Sequence, residues 1–129
     1  MKKEAILLIG HGSKLNFNKE VLEIQAENLR NRGYSDIFIG YNEKTEPLAG
    51  EMLSEIVQKG FETVFAVPVF IASGMHITRD IPRKLGIPEN SDGGAVEFNG
   101  HKANVKYALP LGHDPRIADI LAERIESLR

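Results

Sequence analysis

Four short apolar runs, Ala5–Ile9, Ile37–Tyr41, Thr63–Val67 and Val105–Leu109, each end in a turn-forming segment and lead toward a stretch of helical periodicity. This alternation restricts the fold more than any other feature. A strand, a helix and a second strand close as a crossover between parallel strands, and that crossover is right-handed. Runs that are apolar throughout belong to strands covered on both faces. The order predicts an α/β domain: a doubly wound four-stranded parallel sheet with helices on both faces and a small β-hairpin.

The segments between the runs supply the helices. From about Asn18 to Arg32, Val21, Leu22, Ile24, Gln25, Ala26 and Leu29 recur at helical spacing, with Gly33 as the stop. A second helix is expected to run to about Lys59, capped by Thr45 with Pro47 in its first turn, and to turn Leu48, Met52, Leu53, Ile56 and Val57 inward before Gly60. A short helix is expected from Thr78 to Leu85, with Thr78 or Asp80 as its cap. The last one follows Asp114 (cap) and Pro115 (first position), and carries Ile117, Ile120, Leu121, Ile125 and Leu128 on one face. Gly86 to Gly94 has no apolar periodicity and reads as a mobile loop. Val96 to Lys102 holds an Asn99-Gly100 pair between extended-looking residues, the signal for a hairpin before the last strand. No linker or repeat interrupts the chain, so residues 1–129 read as a single domain.

Composition excludes several classes of function. Net charge is −2 and the basic residues are scattered, so no nucleic-acid surface is expected. There is no cysteine, hence no disulfide, thiolate metal site or thiol nucleophile. The run Ala5–Ile9 is too short to span a membrane and lacks the apolar core of a signal peptide. The expectation is a cytoplasmic protein without a membrane partner.

Two histidines stand at strand ends beside glycine. His11 lies in Gly10-His11-Gly12-Ser13 after the first strand; His76 follows Ser73-Gly74-Met75 after the third. In the strand order 2-1-3-4 these strands are neighbours, and the winding direction switches between them, where open sheets bind ligands. Neighbouring strands lie about 5 Å apart, so the two imidazoles are expected to reach one divalent ion. Imidazole without thiolate suits cobalt, nickel, zinc or iron(II). Glu43 and Glu46 follow the second strand at the same rim; they read either as solvated loop residues or as groups that bind a cation, relay a proton or complete a metal shell. Taken singly, either histidine reads equally well as a surface residue. His101 reads as solvent-facing at the hairpin tip, His113 as a peripheral ligand or a bystander, and Arg79-Asp80 as a helix-start charge pair. Gly10–Ser13 also resembles a phosphate cradle, but it lacks the Lys of a P-loop and the third glycine of a dinucleotide site. Ser13 lacks a nucleophile elbow.

Gly10-His11-Gly12-Ser13, Val67-Pro68-Val69-Phe70, Gly74-Met75-His76-Ile77-Thr78-Arg79-Asp80-Ile81-Pro82, Pro110-Leu111-Gly112 and Asp114-Pro115-Arg116-Ile117 together resemble the small class II chelatases of the CbiX type. The resemblance covers essentially the whole chain. It implies insertion of cobalt or nickel into sirohydrochlorin by a homodimer, with Co²⁺ or Ni²⁺ as substrate metal and no permanently bound cofactor. It assigns metal binding to His11 and His76, and proton acceptance to His11. It assigns macrocycle contact to Glu46 and to the segment Ile71, Ala72, Ser73, Gly74, Met75 and His76. The histidine-rich insertion of some relatives is missing, since Pro88–Gly94 contains no histidine. The competing reading is a cobalt or nickel carrier without catalysis, which needs the histidines but no macrocycle cleft. A third is a small-molecule or phosphate-binding α/β domain built on Gly10 and Gly12.

Overall fold

Each apolar run forms a strand in the structure, a computed structural model that describes residues 3–129. The strands are β1 (Glu4–Gly10), β2 (Ile37–Tyr41), β3 (Thr63–Pro68), β4 (Gly93–Phe98) and β5 (His101–Tyr107). The helices are α1 (Phe17–Asn31), α2 (Ala49–Gln58), α3 (Ile81–Leu85) and α4 (Arg116–Glu126), and a π-helical turn spans His76–Asp80. The sheet order is β2-β1-β3-β5-β4. β2, β1, β3 and β5 are the expected parallel set, in the expected order. β4 adds a fifth strand, antiparallel to β5 at the edge.

That fifth strand arises because the hairpin and the last strand are one element. Asn99 and Gly100 turn with positive φ, +50° and +81°, which Asn-Gly adopts readily. β5 therefore starts at His101 rather than Val105 and ends at Tyr107. Gly93 and Gly94, expected in a loop, open β4. The rest of the Gly86–Gly94 segment is tied down: Asn90 N–H donates to Thr78 O at 2.8 Å, and the Ser91 hydroxyl donates to Pro88 O at 2.6 Å.

One sheet face carries the main core. Ala5, Leu7 and Ile9 of β1, Val64 and Ala66 of β3 and Val105 of β5 pack against Leu53, Ile56 and Val57 of α2 and Ile81 and Leu85 of α3. Each fully buried aliphatic side chain contributes roughly 1.5–3 kcal/mol. The opposite face is covered by α1 through Leu22 and Ala26, over Leu8 and Tyr41. The expected α1 stripe is narrower than the sequence suggested, since Val21 and Ile24 point outward. None of the α4 side chains is buried, so the fourth helix lies against neither face.

Two expected caps are absent. α2 begins at Ala49 with no side-chain cap, after Pro47 rather than around it. Thr45 instead donates its hydroxyl to Ser13 O at 2.8 Å and accepts from Ser13 N–H at 3.0 Å. Neither Thr78 nor Asp80 caps α3: Thr78 bonds Gly74 O at 3.0 Å, and the helical path already starts at His76 as a π turn. Asp114 does accept from Arg116 N–H at 2.9 Å, but from two residues before α4 begins, with Pro115 preceding the first helical position rather than filling it.

Tyr107 fastens the π turn to the sheet by donating its hydroxyl to Ile77 O at 2.8 Å. Burial pushes this phenol from its ordinary 10.0 up to about 12. The unfolded chain releases the proton first, so the contribution to stability is full below pH 10.0 and is lost as pH rises toward about 12. The absorbance at 295 nm of the folded protein minus that of Tyr107→Phe is expected to show a phenol titrating near 12. A difference step centred on 10.0 would contradict this placement.

Candidate metal and macrocycle site

The rim at the carboxyl ends of β1, β2 and β3 is stitched from three loops. After β1, Asn42 N–H donates to Gly10 O at 2.8 Å and Glu43 N–H to His11 O at 3.1 Å. Val69 N–H donates to Ile9 O at 2.8 Å, which joins the segment after β3 to the same rim. Gly12 has φ +93°, and a Cβ there would lie 1.6 Å from Glu43 O. Only glycine lets these two loops approach so closely.

This stitching brings His11 and His76 together. Their ring centroids are 5.0 Å apart and the rings meet edge to face. Phe70 closes one side of His11 at 5.8 Å between centroids. Both imidazoles are about half exposed, 45% and 49%, so a solute reaches them from the open side of the rim. His11 Nδ1 lies 3.1 Å from Gly12 O. A carbonyl only accepts, so in the neutral ring Nδ1 carries the hydrogen and Nε2 keeps its lone pair. That nitrogen is the one able to bind a metal or take a proton. It faces Glu43 Oε1 at 3.9 Å, close enough to stabilise positive charge on the ring without a hydrogen bond.

His76 opens the π turn, a backbone form found often at functional sites. Its Nδ1 lies 3.1 Å from Asp80 Oδ2 and 3.3 Å from Asn42 Nδ2. The reading of Asp80 as a helix-start charge pair with Arg79 is thereby replaced: Arg79 faces Glu89 at 3.7 Å and Asp80 faces His76. Asn42 was not singled out from the sequence. Its signal, a polar residue immediately after an apolar strand, is too common to stand out.

Among the described residues, no cluster of three or more His, Asp or Glu could enclose a metal ion. The two imidazoles could thus offer a metal two ring nitrogens, with no further side chain of these types placed to complete its shell. Ile71 to His76 is exposed along the same rim, with Ile71 and Met75 as large apolar surfaces. Glu43, rather than Glu46, is the loop carboxylate beside His11; Glu46 is exposed and makes no ion pair among the described residues. His101 and His113 are both exposed. The phosphate-cradle reading fails on the loop's own bonding, because Gly12 N–H is taken by Asn18 Oδ1 at 3.1 Å and Ser13 N–H by Thr45.

The family model described as CbiX matches residues 5–128. A sirohydrochlorin cobaltochelatase of Methanosarcina barkeri is 44% identical over 127 residues, covering 97% of this chain and 96% of that one. A protein of the same description from Saccharolobus solfataricus is 36% identical over 120 residues, covering 93% and 91%. Among solved structures, the sirohydrochlorin chelatase SirB of Bacillus subtilis in complex with cobalt shares the fold at TM-score 0.75 and 21% identity. It covers 97% of this chain and 50% of its own.

Proposed function

The chain belongs to the CbiX family, and from that premise we propose that it is a chelatase that inserts cobalt or nickel into sirohydrochlorin, within tetrapyrrole cofactor biosynthesis. The observation that carries this reading is the pair of imidazoles 5.0 Å apart on an open rim. His11 and His76 hold the incoming divalent ion through ring nitrogens. Two pyrrolic N–H bonds of the macrocycle break as two metal–nitrogen bonds replace them, and two protons leave. Nε2 of His11 accepts a proton once the metal has moved off it, and Glu43 stabilises the resulting imidazolium. The metal is substrate, and two protein donors hold it loosely enough for a four-nitrogen macrocycle to take it. Ile71 to His76 and Glu46 line the path of the macrocycle.

The active form in this reading is a homodimer, supported by two unmatched apolar surfaces of the chain. α4 exposes Ile120, Leu121 and Ile125 at 46%, 58% and 57%. On the sheet, α1 covers β1 and β2, while Ile6, Phe65 and Val67 remain partly uncovered in a groove that runs on to Ala95 and Ala108. A helix on that groove would complete the doubly wound arrangement. The connection into α4 is pinned at the rim. Ala108 N–H donates to Ala66 O at 2.9 Å and Leu111 N–H to Phe70 O at 2.8 Å. Gly112 sits so close that a Cβ would lie 2.1 Å from Ile71 O. The helix thus leaves the rim in a set direction, away from its own groove, and a second copy supplies the cover by reciprocal exchange. Lys106 in the groove suits the acidic flank of α4, Asp119 and Glu123.

The test is an insertion assay: purified protein, sirohydrochlorin and Co²⁺, Ni²⁺ or Fe²⁺ side by side, followed by visible absorption. Acceleration over the protein-free blank with Co²⁺ or Ni²⁺ is expected. Metal binding without any acceleration would favour the carrier instead.

A further inference from the structure

Asn42 is the one buried polar side chain among the described residues, 2% exposed, and the insertion step above leaves it without a task. Its surroundings are specific. Lys84 Nζ of α3 lies 2.6 Å from Asn42 O and 2.8 Å from Asn42 Oδ1. An ammonium only donates, so this clamp determines which end of the amide is oxygen and turns Nδ2 toward His76 Nδ1. An amide Nδ2 also only donates. The 3.3 Å contact therefore requires a lone pair on His76 Nδ1, which in the neutral ring puts the hydrogen on Nε2 and closes that nitrogen to a metal. Asp80 Oδ2, 3.1 Å from the same Nδ1 at ion-pair distance but off the line of a hydrogen bond, favours the reverse: its negative charge draws the hydrogen to Nδ1 and leaves Nε2 open. One neutral imidazole cannot satisfy both.

We propose that Asn42, clamped by Lys84, and Asp80 compete for Nδ1 of His76 and so decide whether its Nε2 is open to a metal. Asp80 selects the metal-accepting tautomer; Asn42 selects the one that lets the metal go. The proposal rests on the reading of His76 as a metal ligand. All three are positioning residues that act through His76. The arrangement suits a site that must hold a cation and then surrender it, because the ring has a hydrogen-bonded alternative when the metal leaves. A ligand with only the carboxylate partner would be held in the binding form throughout.

The full chain and two variants, Asp80→Leu and Lys84→Met, test this; Asp80 is partly exposed and Lys84 exposed apart from its bonds to Asn42, and circular dichroism checks that each variant folds. Co²⁺ alone is titrated calorimetrically. Asp80→Leu is expected to weaken binding by roughly 10- to 100-fold. Lys84→Met frees the Asn42 amide to turn its oxygen toward His76, and is expected to tighten binding by roughly 2- to 10-fold while slowing insertion. Removing a charge near the cation would also give opposite signs, so the deciding readout is made without metal. Histidine-ring ¹⁵N shifts of His76 are expected to move toward the Nδ1–H form in Lys84→Met and toward the Nε2–H form in Asp80→Leu. Unchanged tautomer populations in both variants overturn the proposal. His76→Ala separates this failure from that of the underlying reading: if Co²⁺ affinity survives that change, His76 is no ligand, and both fall together.

Discussion

His76→Ala is expected to abolish metal insertion, and His11→Ala to slow it by on the order of 10²–10⁴-fold, the range of a lost general base, before any loss of metal binding is counted. The reasoning is geometric. The two rings lie 5.0 Å apart at the rim and are the donor pair of the proposed function, and no third His, Asp or Glu among the described residues completes a metal cluster with them. A site with two donors loses half its protein ligands in either variant. Folding should be nearly untouched, because both side chains are about half exposed and substitutions of exposed residues usually stay within about 0.5 kcal/mol. The check is the insertion rate with Co²⁺ beside a thermal melt. Near-normal rates in His76→Ala, with the melt unchanged, would remove the metal role of that residue. The two variants should also differ in kind: added imidazole or another small base is expected to restore part of the rate to His11→Ala and none to His76→Ala, where the metal has lost its seat.

The second large effect is expected from Ile120→Glu combined with Leu121→Glu. Both residues lie in the exposed apolar stripe of α4. In the exchanged dimer proposed above each would be buried in the groove of the other copy, and burial of such a side chain contributes roughly 1.5–3 kcal/mol. Two residues from each of two copies then weaken association by on the order of 10⁴-fold or more. Sedimentation should show a monomer at concentrations where the unaltered chain is a dimer. Insertion should fall too, because the connection into α4 is bonded to Phe70, and Phe70 packs beside His11. The monomer itself should remain folded, since the main core between the sheet, α2 and α3 contains no α4 residue. An unaltered chain that sediments as a monomer, with the apolar stripe protected from solvent exchange, would mean that α4 closes on its own groove.

Much of this was legible because the governing patterns are local. The strands follow from uninterrupted apolar runs, and α2 from Met52, Leu53, Ile56 and Val57 recurring on one side. The Asn99-Gly100 turn follows from the tolerance of both residues for positive φ. The placement of His11 and His76 at one rim follows from strand order alone. The caps were misread because Thr45, Thr78 and Asp80 each have a stronger long-range or cross-turn partner, in Ser13, Gly74 and His76. Cap preference is worth about 1 kcal/mol, so a neighbouring loop with a better-placed donor or acceptor overrides it. The outward turn of Val21 and Ile24 has a different cause: five candidate apolar positions exceed what one side of a helix can bury.

Sequence by itself determined the class of fold, the parallel order and the two imidazoles at the switch in winding, because periodicity of two and of 3.6 residues is set by neighbours along the chain. Tertiary structure alone decided what surrounds those imidazoles. Asp80 and Lys84 follow His76 at successive four-residue steps of one helical path, but Asn42 comes from the loop after β2, and nothing in its spacing along the chain relates it to them. It also decided that α4 leaves the sheet. An amphipathic stripe states that a helix must be covered; which surface covers it depends on the direction in which the pinned connection from Ala108 to Pro115 sends the chain.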